Sequence, residues 1–253
     1  MITGASAGIG GTFANLLARQ GYDLVLVARD EIRLKEKAEE LKKAFGIDCE
    51  ILVADLATEQ GCRSVEERVA DSQRPIDVLI NNAGFGIRES FLKSHLDAEQ
   101  QLLDVLVRTP MRLMHSALPK MKERNSGIII NVSSVAGWIA GGTYSAAKSY
   151  LTVLSESLHT ELRETNVNVL ALCPGFTHTE FHQRGRMKMD ALPKFMWLKA
   201  DQVVAKAWSD ALSGKALSVP GWQYTILSSL ARFAPRPLVR RIGMNVRTRQ
   251  RSK

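Results

Sequence analysis

Short apolar runs alternate along the chain with longer segments in which apolar and polar residues recur at helical spacing. We predict strands at six of the short runs: Asp23–Ala28, Glu50–Ala54, Asp77–Asn81, Gly127–Ser133, Val167–Leu172 and Leu217–Val219. We predict helices at six of the longer segments: Gly10–Gln20, Glu31–Phe45, Glu59–Ser72, Asp97–Arg124, Thr143–Glu164 and Asp201–Leu212. Continuously apolar strands between amphipathic helices are typical of a parallel sheet that helices cover on both faces. The pattern therefore predicts an α/β protein with a doubly wound parallel sheet.

A glycine-rich turn stands at the start of the chain, with the sequence Thr3-Gly4-Ala5-Ser6-Ala7-Gly8-Ile9-Gly10. Glycine leaves room for a diphosphate beside the backbone, and the N-terminus of the following helix favours negative charge. In a Rossmann-type sheet such a turn follows the first strand. Only Met1 and Ile2 precede Thr3. We therefore expect a nearly absent first strand, and a start site a few residues upstream.

Charge and cysteine content narrow the class of protein. The net charge of +8 equals the eight arginines and lysines between Arg232 and Lys253, a stretch without Asp or Glu. The rest of the chain is near neutral, so no groove for specific nucleic-acid binding is predicted. The three cysteines Cys49, Cys62 and Cys173 lack metal-type spacing and suit a reducing cytosol. No apolar run reaches the ~18 residues of a membrane span, and we expect a cytoplasmic protein. We expect no metal, because the cysteines lack the spacing of metal ligands.

The end of the second strand bears on the choice of a dinucleotide. A carboxylate there would bind the adenosine ribose of NAD, but the position holds Ala28. Arg29 follows, and a guanidinium suits the 2′-phosphate of NADP; the alternative is a surface arginine at the start of a helix. Asp55, after the third strand, is a candidate acceptor for the adenine amino group. It is alternatively an N-cap of the next helix, a role for which Thr58 competes.

Taken together, an ordered set of motifs between Thr3 and about Gly221 resembles the classical type of the short-chain dehydrogenase/reductase family. The motifs are Thr3-Gly4 through Gly8 and Gly10, Asn81-Asn82-Ala83-Gly84, Ser134, Tyr144 with Lys148, and Pro174-Gly175. The resemblance implies a single Rossmann-type domain, carbonyl/alcohol oxidoreductase activity, and a homo-oligomer, usually a dimer or tetramer. With Arg29 it implies NADP(H), bound by Gly4, Ser6, Gly8, Ile9, Gly10, Arg29, Asp55, Leu56, Asn82, Ala83, Gly84, Tyr144, Lys148, Pro174, Gly175, Thr177 and Thr179.

Tyr144 and Lys148 stand four residues apart, on one face of a predicted helix. A free tyrosine has a pKa of about 10 and is a poor base near neutrality. The ammonium of Lys148, together with an oxidised nicotinamide, is expected to lower that pKa. Tyr144 would then exchange a proton with a carbonyl or alcohol oxygen. In the family the lysine also holds the nicotinamide ribose.

By resemblance, Ser134 hydrogen-bonds the substrate oxygen, with Ser133 as the alternative. The loop Ala136–Thr143 is shorter than is common in the family, and Trp138 is a candidate pocket residue. The family also has an asparagine in the long helix, where this chain has Leu106. Pro110 lies four residues later and lacks an N–H, so the Leu106 carbonyl would be free to hold a water that serves Lys148. A helix kink without function is the alternative.

The segment after the sixth strand, Pro174-Gly175-Phe176-Thr177-His178-Thr179, backs the nicotinamide in the family. His178 and His182 invite a metal interpretation, but no third ligand stands nearby. Residues 180–200 correspond to the family's mobile lid over the substrate. The lid is rich in Met, Phe and Trp, which favours a lipophilic substrate, although these side chains also suit the lid's own packing.

The C-terminal part, residues 222–253, is predicted to be a basic amphipathic extension of the catalytic domain 1–221. Apolar residues alternate there with arginines, which suits peripheral contact with an anionic membrane surface. The alternative is packing on the domain or on a second subunit. The sequence thus predicts an NADP(H)-dependent oxidoreductase with a small carbonyl or alcohol substrate. The alternative function is a cofactor-binding, weakly catalytic sensor or membrane-surface scaffold.

Overall fold

The computed structural model describes residues 1–180 and 193–241. The strands are β1 Ile2–Thr3, β2 Leu24–Ala28, β3 Cys49–Val53, β4 Val78–Asn81, β5 Gly127–Val132, β6 Val167–Leu172, β7 Thr177–His178, β8 Leu198–Lys199 and β9 Leu217–Ser218. The α-helices are α1 Gly8–Arg19, α2 Glu31–Phe45, α3 Glu59–Ala70, α4 Leu96–Leu103, α5 Thr109–Glu123, α6 Thr143–Glu161, α7 Ala200–Leu212 and α8 Trp222–Phe233. A π-helical turn at Asp104–Arg108 joins α4 to α5, and short 3-10 helices lie at Val135–Trp138 and Lys194–Met196.

Seven strands form one parallel sheet in the order β3-β2-β1-β4-β5-β6-β9. Separate apolar clusters cover its two faces, one including Phe13 and Leu34, the other including Leu113 and Leu151. The predicted doubly wound, Rossmann-type sheet is confirmed. The strand order reverses between β1 and β4, and ligands of such sheets bind at that point, outside the carboxyl ends of the strands.

The first strand has two residues, yet it pairs on both sides. Ile2 and Thr3 lie opposite Leu26 and Val27, and Ile2 also lies opposite Ile80. Flanking residues extend the ladder, since Ile80 N donates to the Met1 carbonyl at 2.9 Å. On the other side, Gly4 N donates to the Val27 carbonyl at 2.8 Å. The nearly absent first strand is thus confirmed, and it still joins the two halves of the sheet.

The predicted helix Asp97–Arg124 is not one regular helix. It begins at Leu96, ends at Glu123 and passes through the π-helical turn between α4 and α5. Pro110 is the second residue of α5, and the backbone on both sides of it is helical. The helix therefore continues through the proline, and its irregularity lies in the turn before it. Among the described residues, no helix is both long and apolar enough to cross a membrane.

Candidate active site

Three side chains with complementary chemistry meet where β5 ends and α6 begins. Tyr144 and Lys148 lie one turn apart on α6, and Ser134 follows β5 by two residues. The Ser134 hydroxyl is hydrogen-bonded to the Tyr144 phenol. Lys148 Nζ lies 5.7 Å from the centroid of the Tyr144 ring. The fold therefore brings together the three residues for which the sequence predicts a catalytic role.

Lys148 is buried, with 4% of its surface exposed. Its Nζ donates to the Val132 carbonyl at 2.6 Å, which fixes the amine at the end of β5. Burial disfavours the ammonium and lowers the pKa of Lys148 to about 8. An ammonium has three N–H donors and Val132 takes one. Lys148 therefore keeps donors for a ribose hydroxyl or a water.

Burial also acts on Tyr144, raising its pKa to about 12, although the hydrogen bond with Ser134 opposes the rise. The expectation that Lys148 and an oxidised nicotinamide together lower this pKa stays a prediction; in the protein without its cofactor the shift has the opposite direction. The reason is desolvation, which penalises the phenolate and at the same time weakens the positive charge on Lys148. Tyr144 is consequently a neutral phenol near pH 7 and carries the proton that a donor needs, although the raised pKa makes it a weaker acid than a free tyrosine.

The two candidate serines have different surroundings. Ser133 is buried; its hydroxyl donates to the Lys148 carbonyl at 2.7 Å and lies 2.7 Å from Thr152 Oγ1. Ser134 caps the 3-10 helix, since its Oγ accepts from Ala136 N at 3.1 Å. Ser133 thus holds α6 against β5, while Ser134 is the serine beside the phenol. The geometry favours Ser134 over Ser133 for contact with a substrate oxygen.

The glycine-rich turn lies at the carboxyl end of β1. Gly4 and Gly8 have φ angles of +67° and +58°, a region that favours glycine. A Cβ atom on Gly10 would collide with the Gly4 carbonyl oxygen and the Asn82 amide. Helix α1 begins without a side-chain cap at Ala7 and has no acidic residue in its first turn. The uncapped N–H groups of that turn suit a diphosphate.

Hydrogen bonds join the glycine-rich turn to the end of β4. Thr3 Oγ1 accepts from Asn82 N at 2.9 Å and from Ala83 N at 3.1 Å. In return, Asn82 Nδ2 donates to the carbonyls of Thr3 at 2.9 Å and Gly4 at 3.2 Å. The sequence indicates that an asparagine ties the loops together, but it does not single out the Thr3 hydroxyl, because a threonine at a strand end has no distinguishing pattern. Ser6 lies in the same turn, and Ile9 packs partly against the core.

Arg29 and Asp55 follow the carboxyl ends of β2 and β3, on the same side of the sheet as the glycine-rich turn. Arg29 Nη1 lies 3.9 Å from Asp55 Oδ2, and their side chains are 74% and 43% exposed. Thr58, not Asp55, caps α3 by accepting from Gly61 N at 3.0 Å. Asp55 instead accepts from Ala57 N at 3.0 Å. Leu56 is buried, and its carbonyl accepts from the Thr109 hydroxyl.

The loop after β6 borders both the catalytic residues and the glycine-rich turn. The Pro174 carbonyl accepts from Val135 N at 3.1 Å, next to Ser134. Thr177 is buried and donates to the Gly175 carbonyl at 3.0 Å. Thr179 reaches the glycine turn, because a Cβ built on Gly8 would lie 3.3 Å from Thr179 Cβ. The segment after β6, which includes β7, therefore places Pro174, Gly175, Thr177 and Thr179 beside the catalytic residues and the glycine-rich turn.

Tyr224 of α8 is a site residue that the sequence does not single out. Its hydroxyl accepts from Phe176 N at 3.0 Å and donates to the Met196 carbonyl at 2.6 Å. Its ring packs against Gly175, where any Cβ atom would collide with it. Tyr224 thus fixes the loop after β6. The sequence carries no signal for this role because the partners lie 48 and 28 residues away in the chain.

Leu106 is buried and packs beside Lys148. A Cβ on Gly84 would lie 2.7 Å from Leu106 Cδ2 and 3.9 Å from Lys148 Nζ. A side chain at position 84 would therefore displace the Leu106 side chain next to Lys148. No side-chain amide is supplied from position 106. The water that the Leu106 carbonyl would hold stays a prediction.

Two predictions concern the lid and the histidines. Residues 181–192 of the lid, with His182, lie outside the described residues. His178 stacks on Trp197, with ring centroids 4.5 Å apart and planes inclined by 17°. Within 1–180 and 193–241, no three His, Cys, Asp or Glu side chains are grouped as a metal site would require.

The chain is similar to known proteins over most of its length. The family model for the short chain dehydrogenase matches residues 1–190. The chain is 32% identical to the ketoacyl reductase HetN of Nostoc, over 92% of this chain and 81% of that protein. A short-chain dehydrogenase from Sphingobium yanoikuyae, solved in complex with NADPH, is 31% identical with a TM-score of 0.83, and the match covers 91% and 92% of the two chains. A bulky-bulky ketone specific alcohol dehydrogenase from Comamonas testosteroni is 27% identical with a TM-score of 0.79, covering 91% and 90%.

Proposed function

The chain belongs to the short-chain dehydrogenase/reductase family, and on that premise we propose that it is an NADP(H)-dependent oxidoreductase that interconverts a lipophilic carbonyl compound and its alcohol. The observation that carries the proposal is the grouping of Ser134, Tyr144 and Lys148 beside a glycine-rich turn at the switch point of the sheet. The uncapped start of α1 and the glycine conformations fit the diphosphate of a dinucleotide.

The catalytic roles follow from the environments of the three side chains. In reduction, the neutral Tyr144 donates its proton to the carbonyl oxygen of the substrate, and Ser134 donates a hydrogen bond to the same oxygen. When bound, NADP(H) supplies the hydride in reduction and accepts it in oxidation. Lys148, held by Val132, would offer its remaining donors to the ribose of the cofactor and to the water that the Leu106 carbonyl is predicted to hold. In oxidation, Tyr144 takes the proton from the alcohol.

The preference for NADP rests on the end of β2. Ala28 offers no carboxylate for the adenosine ribose, and Arg29 presents a guanidinium that is 74% exposed. Asp55 is its ion-pair partner at 3.9 Å, a distance at which an exposed pair is weak. A 2′-phosphate would therefore compete well for Arg29. The relative from Sphingobium yanoikuyae, solved in complex with NADPH, supports the use of this cofactor.

A lipophilic substrate is supported by the aromatic residues around the loop after β6. The rings of Phe176 and Trp197 lie 6.1 Å apart, and Phe195 is 63% exposed. The relatives that are named for ketoacyl and bulky ketone substrates point in the same direction. The homo-oligomer and the cytoplasmic location stay predictions, and size-exclusion chromatography with light scattering tests the first of them.

The alternative function, a weakly catalytic sensor or scaffold, rests partly on the short first strand. Because β1 pairs on both sides, the short first strand no longer supports this alternative. The alternative now depends on Leu106 and on the short loop between Ser134 and Tyr144. That loop still lets the two hydroxyls meet.

The proposal is tested by following NADPH consumption with a series of aliphatic ketones of increasing length. Each added methylene that the pocket buries should raise kcat/KM about fourfold, since it contributes about 0.8 kcal/mol. Equal rates for short and long ketones would contradict the lipophilic substrate but leave the enzyme intact. Tight NADPH binding without turnover of any carbonyl or alcohol would favour the scaffold.

A further inference from the structure

The outer face of α8 exposes a stripe of large apolar side chains. Trp222, Ile226, Leu230 and Phe233 are 70%, 52%, 62% and 89% exposed. Their spacing of four, four and three residues places them on one side of the helix. Single exposed apolar residues are ordinary on a protein surface, but a contiguous apolar stripe marks an interaction site.

The inner face of the same helix is fixed to the domain. Gln223, Tyr224 and Ser228 are buried. Gln223 Nε2 donates to the Phe195 carbonyl at 3.1 Å, and the Tyr224 hydroxyl bridges Phe176 and Met196. The helix therefore cannot rotate to hide its outer face without breaking these buried contacts.

Arginines follow this stripe closely along the chain. Arg232 lies at the end of α8, and Arg236, Arg240 and Arg241 follow in exposed positions. Arg232 is partly engaged, with Glu156 at 3.9 Å and the Trp138 ring at 4.7 Å. No Asp or Glu follows Asp210 anywhere in the sequence. The surface thus combines large apolar side chains with exposed arginines.

We propose that the face formed by Trp222, Ile226, Leu230 and Phe233, with the arginines at 236, 240 and 241, is a docking surface for an anionic lipid bilayer. Tryptophan and phenylalanine insert at the boundary between headgroups and acyl chains, and arginines attract anionic headgroups. A second copy of the chain is a poorer occupant. A two-fold contact would bring the same cationic surface of both copies together.

Docking on this face has a consequence for the candidate active site. Through Tyr224, α8 is attached to the loop that borders Ser134 and the glycine-rich turn. Through Arg232 it contacts Trp138, in the 3-10 helix that follows Ser134. A lipophilic carbonyl compound dissolved in the bilayer would therefore be close to the site. This consequence rests on the proposed function, whereas the docking itself does not.

Sedimentation with vesicles tests the proposal. The full chain is mixed with phosphatidylcholine vesicles with and without phosphatidylglycerol, and the bound fraction is measured at low and high salt. We expect binding to the phosphatidylglycerol vesicles, weakened by salt. The double variant Trp222→Ser/Phe233→Ser should bind roughly tenfold or more weakly. Ile32→Ser, which changes an apolar residue of α2 that is 71% exposed, is the matched control and should bind like the original chain.

The contribution of the arginines to vesicle binding is tested with a second pair of variants. Arg236→Gln/Arg240→Gln should reduce binding roughly tenfold or more. Arg63→Gln/Arg163→Gln removes two exposed charges elsewhere and should change it little. NADPH binding shows that each variant is folded, and it separates failure of docking from failure of the proposed function. Absence of vesicle binding, or equal binding by Trp222→Ser/Phe233→Ser, would overturn the proposal. So would a dimer that dissociates in this variant, since the face would then serve a second copy.

Discussion

The amine of Lys148 lies 5.7 Å from the centroid of the Tyr144 ring, and burial drives both groups toward their neutral forms. The pKa of Lys148 falls to about 8 and that of Tyr144 rises to about 12. Without its cofactor, the protein therefore holds a phenol that carries its proton. Such a site has the protonation state of a proton donor, but a pKa of about 12 makes the phenol a weak acid, so we expect bound substrate and cofactor to lower this pKa during the reaction.

The shifted pKa of Lys148 predicts a pH dependence of stability. The pKa of this amine is about 8 in the folded protein and 10.5 for a freely hydrated lysine, so the unfolded chain binds more protons between these values. Lys148 should consequently contribute a rise of stability with pH across this range, up to about 3 kcal/mol in total. Cys173, whose pKa burial raises to about 11, acts in the opposite direction above about pH 9, so the contribution of Lys148 is measured as a difference from a variant without it. Lys148→Met should lack this rise. Urea unfolding of both proteins, from about pH 7 to about pH 10, measures the difference.

Lys35→Met is the control for that experiment, since Lys35 lies on the surface of α2 with 61% of its side chain exposed. Its stability should follow that of the original protein at each pH. Parallel curves for Lys148→Met and the original protein would show that Lys148 is not buried as an amine of low pKa.

The neighbouring serines should separate stability from catalysis. Ser134→Ala removes the hydroxyl beside the phenol, and we expect kcat to fall about 10²-fold or more with unchanged NADPH affinity. Ser133→Ala removes the buried hydrogen bonds of this hydroxyl with the Lys148 carbonyl and Thr152, which still bond to each other, so it should lower the free energy of unfolding by about 0.5–1.5 kcal/mol. Steady-state kinetics and urea unfolding of both variants distinguish the two effects. A larger loss of kcat in Ser133→Ala would reverse the assignment.

Arg29 should discriminate between the two dinucleotides. Arg29→Ala removes the guanidinium offered to the 2′-phosphate, a charged hydrogen bond that contributes about 1.5–3 kcal/mol. We expect the Kd for NADPH to rise roughly 10- to 100-fold and the Kd for NADH to change little. Fluorescence titration with each cofactor measures both values on the same protein. Equal weakening of the two cofactors would show that Arg29 does not bind the 2′-phosphate.

Two adjacent glycines of α1 form a matched pair. A methyl group on Gly10 collides with the Gly4 carbonyl and the Asn82 amide, whereas on Gly11 its nearest neighbour is the Ala5 carbonyl at 3.4 Å. Gly10→Ala should lower the free energy of unfolding by about 1–3 kcal/mol and weaken NADPH binding. Gly11→Ala should be neutral or stabilise the helix by up to about 1 kcal/mol. Thermal unfolding with and without NADPH compares them, and similar behaviour of the two variants would contradict the tight junction at Gly10.

The sheet was predictable because each of its main strands is a continuous apolar run between amphipathic helices. Even the short first strand followed from the two residues before Thr3. An irregularity near Leu106 was predicted from Pro110, but its π-helical form at Asp104–Arg108 was not, since the apolar pattern continues through it. The division between residues 1–221 and 222–253 stays a prediction.

The candidate site, like the fold, could be predicted only in part from the sequence. Spacing identified Tyr144 and Lys148, because a four-residue separation fixes their relative positions on a helix. The direction of the pKa shift of Tyr144 depends on burial, which the sequence around it does not contain. Tyr224 was missed for the related reason that its partners are distant in the chain. Tertiary contacts therefore decide both the protonation of the site and the position of the loop beside it.

The most direct test of catalysis by Tyr144 is the substitution Tyr144→Phe, which keeps the ring and removes the phenolic proton. NADPH affinity is measured by fluorescence titration, and turnover of a ketone accepted by the original protein is measured by NADPH consumption. We predict unchanged NADPH affinity to within a few-fold and a loss of kcat of about 10²- to 10⁴-fold, the contribution typical of a positioned acid. Turnover at the original rate in Tyr144→Phe would contradict the account, because the proton of the reaction would then come from another group.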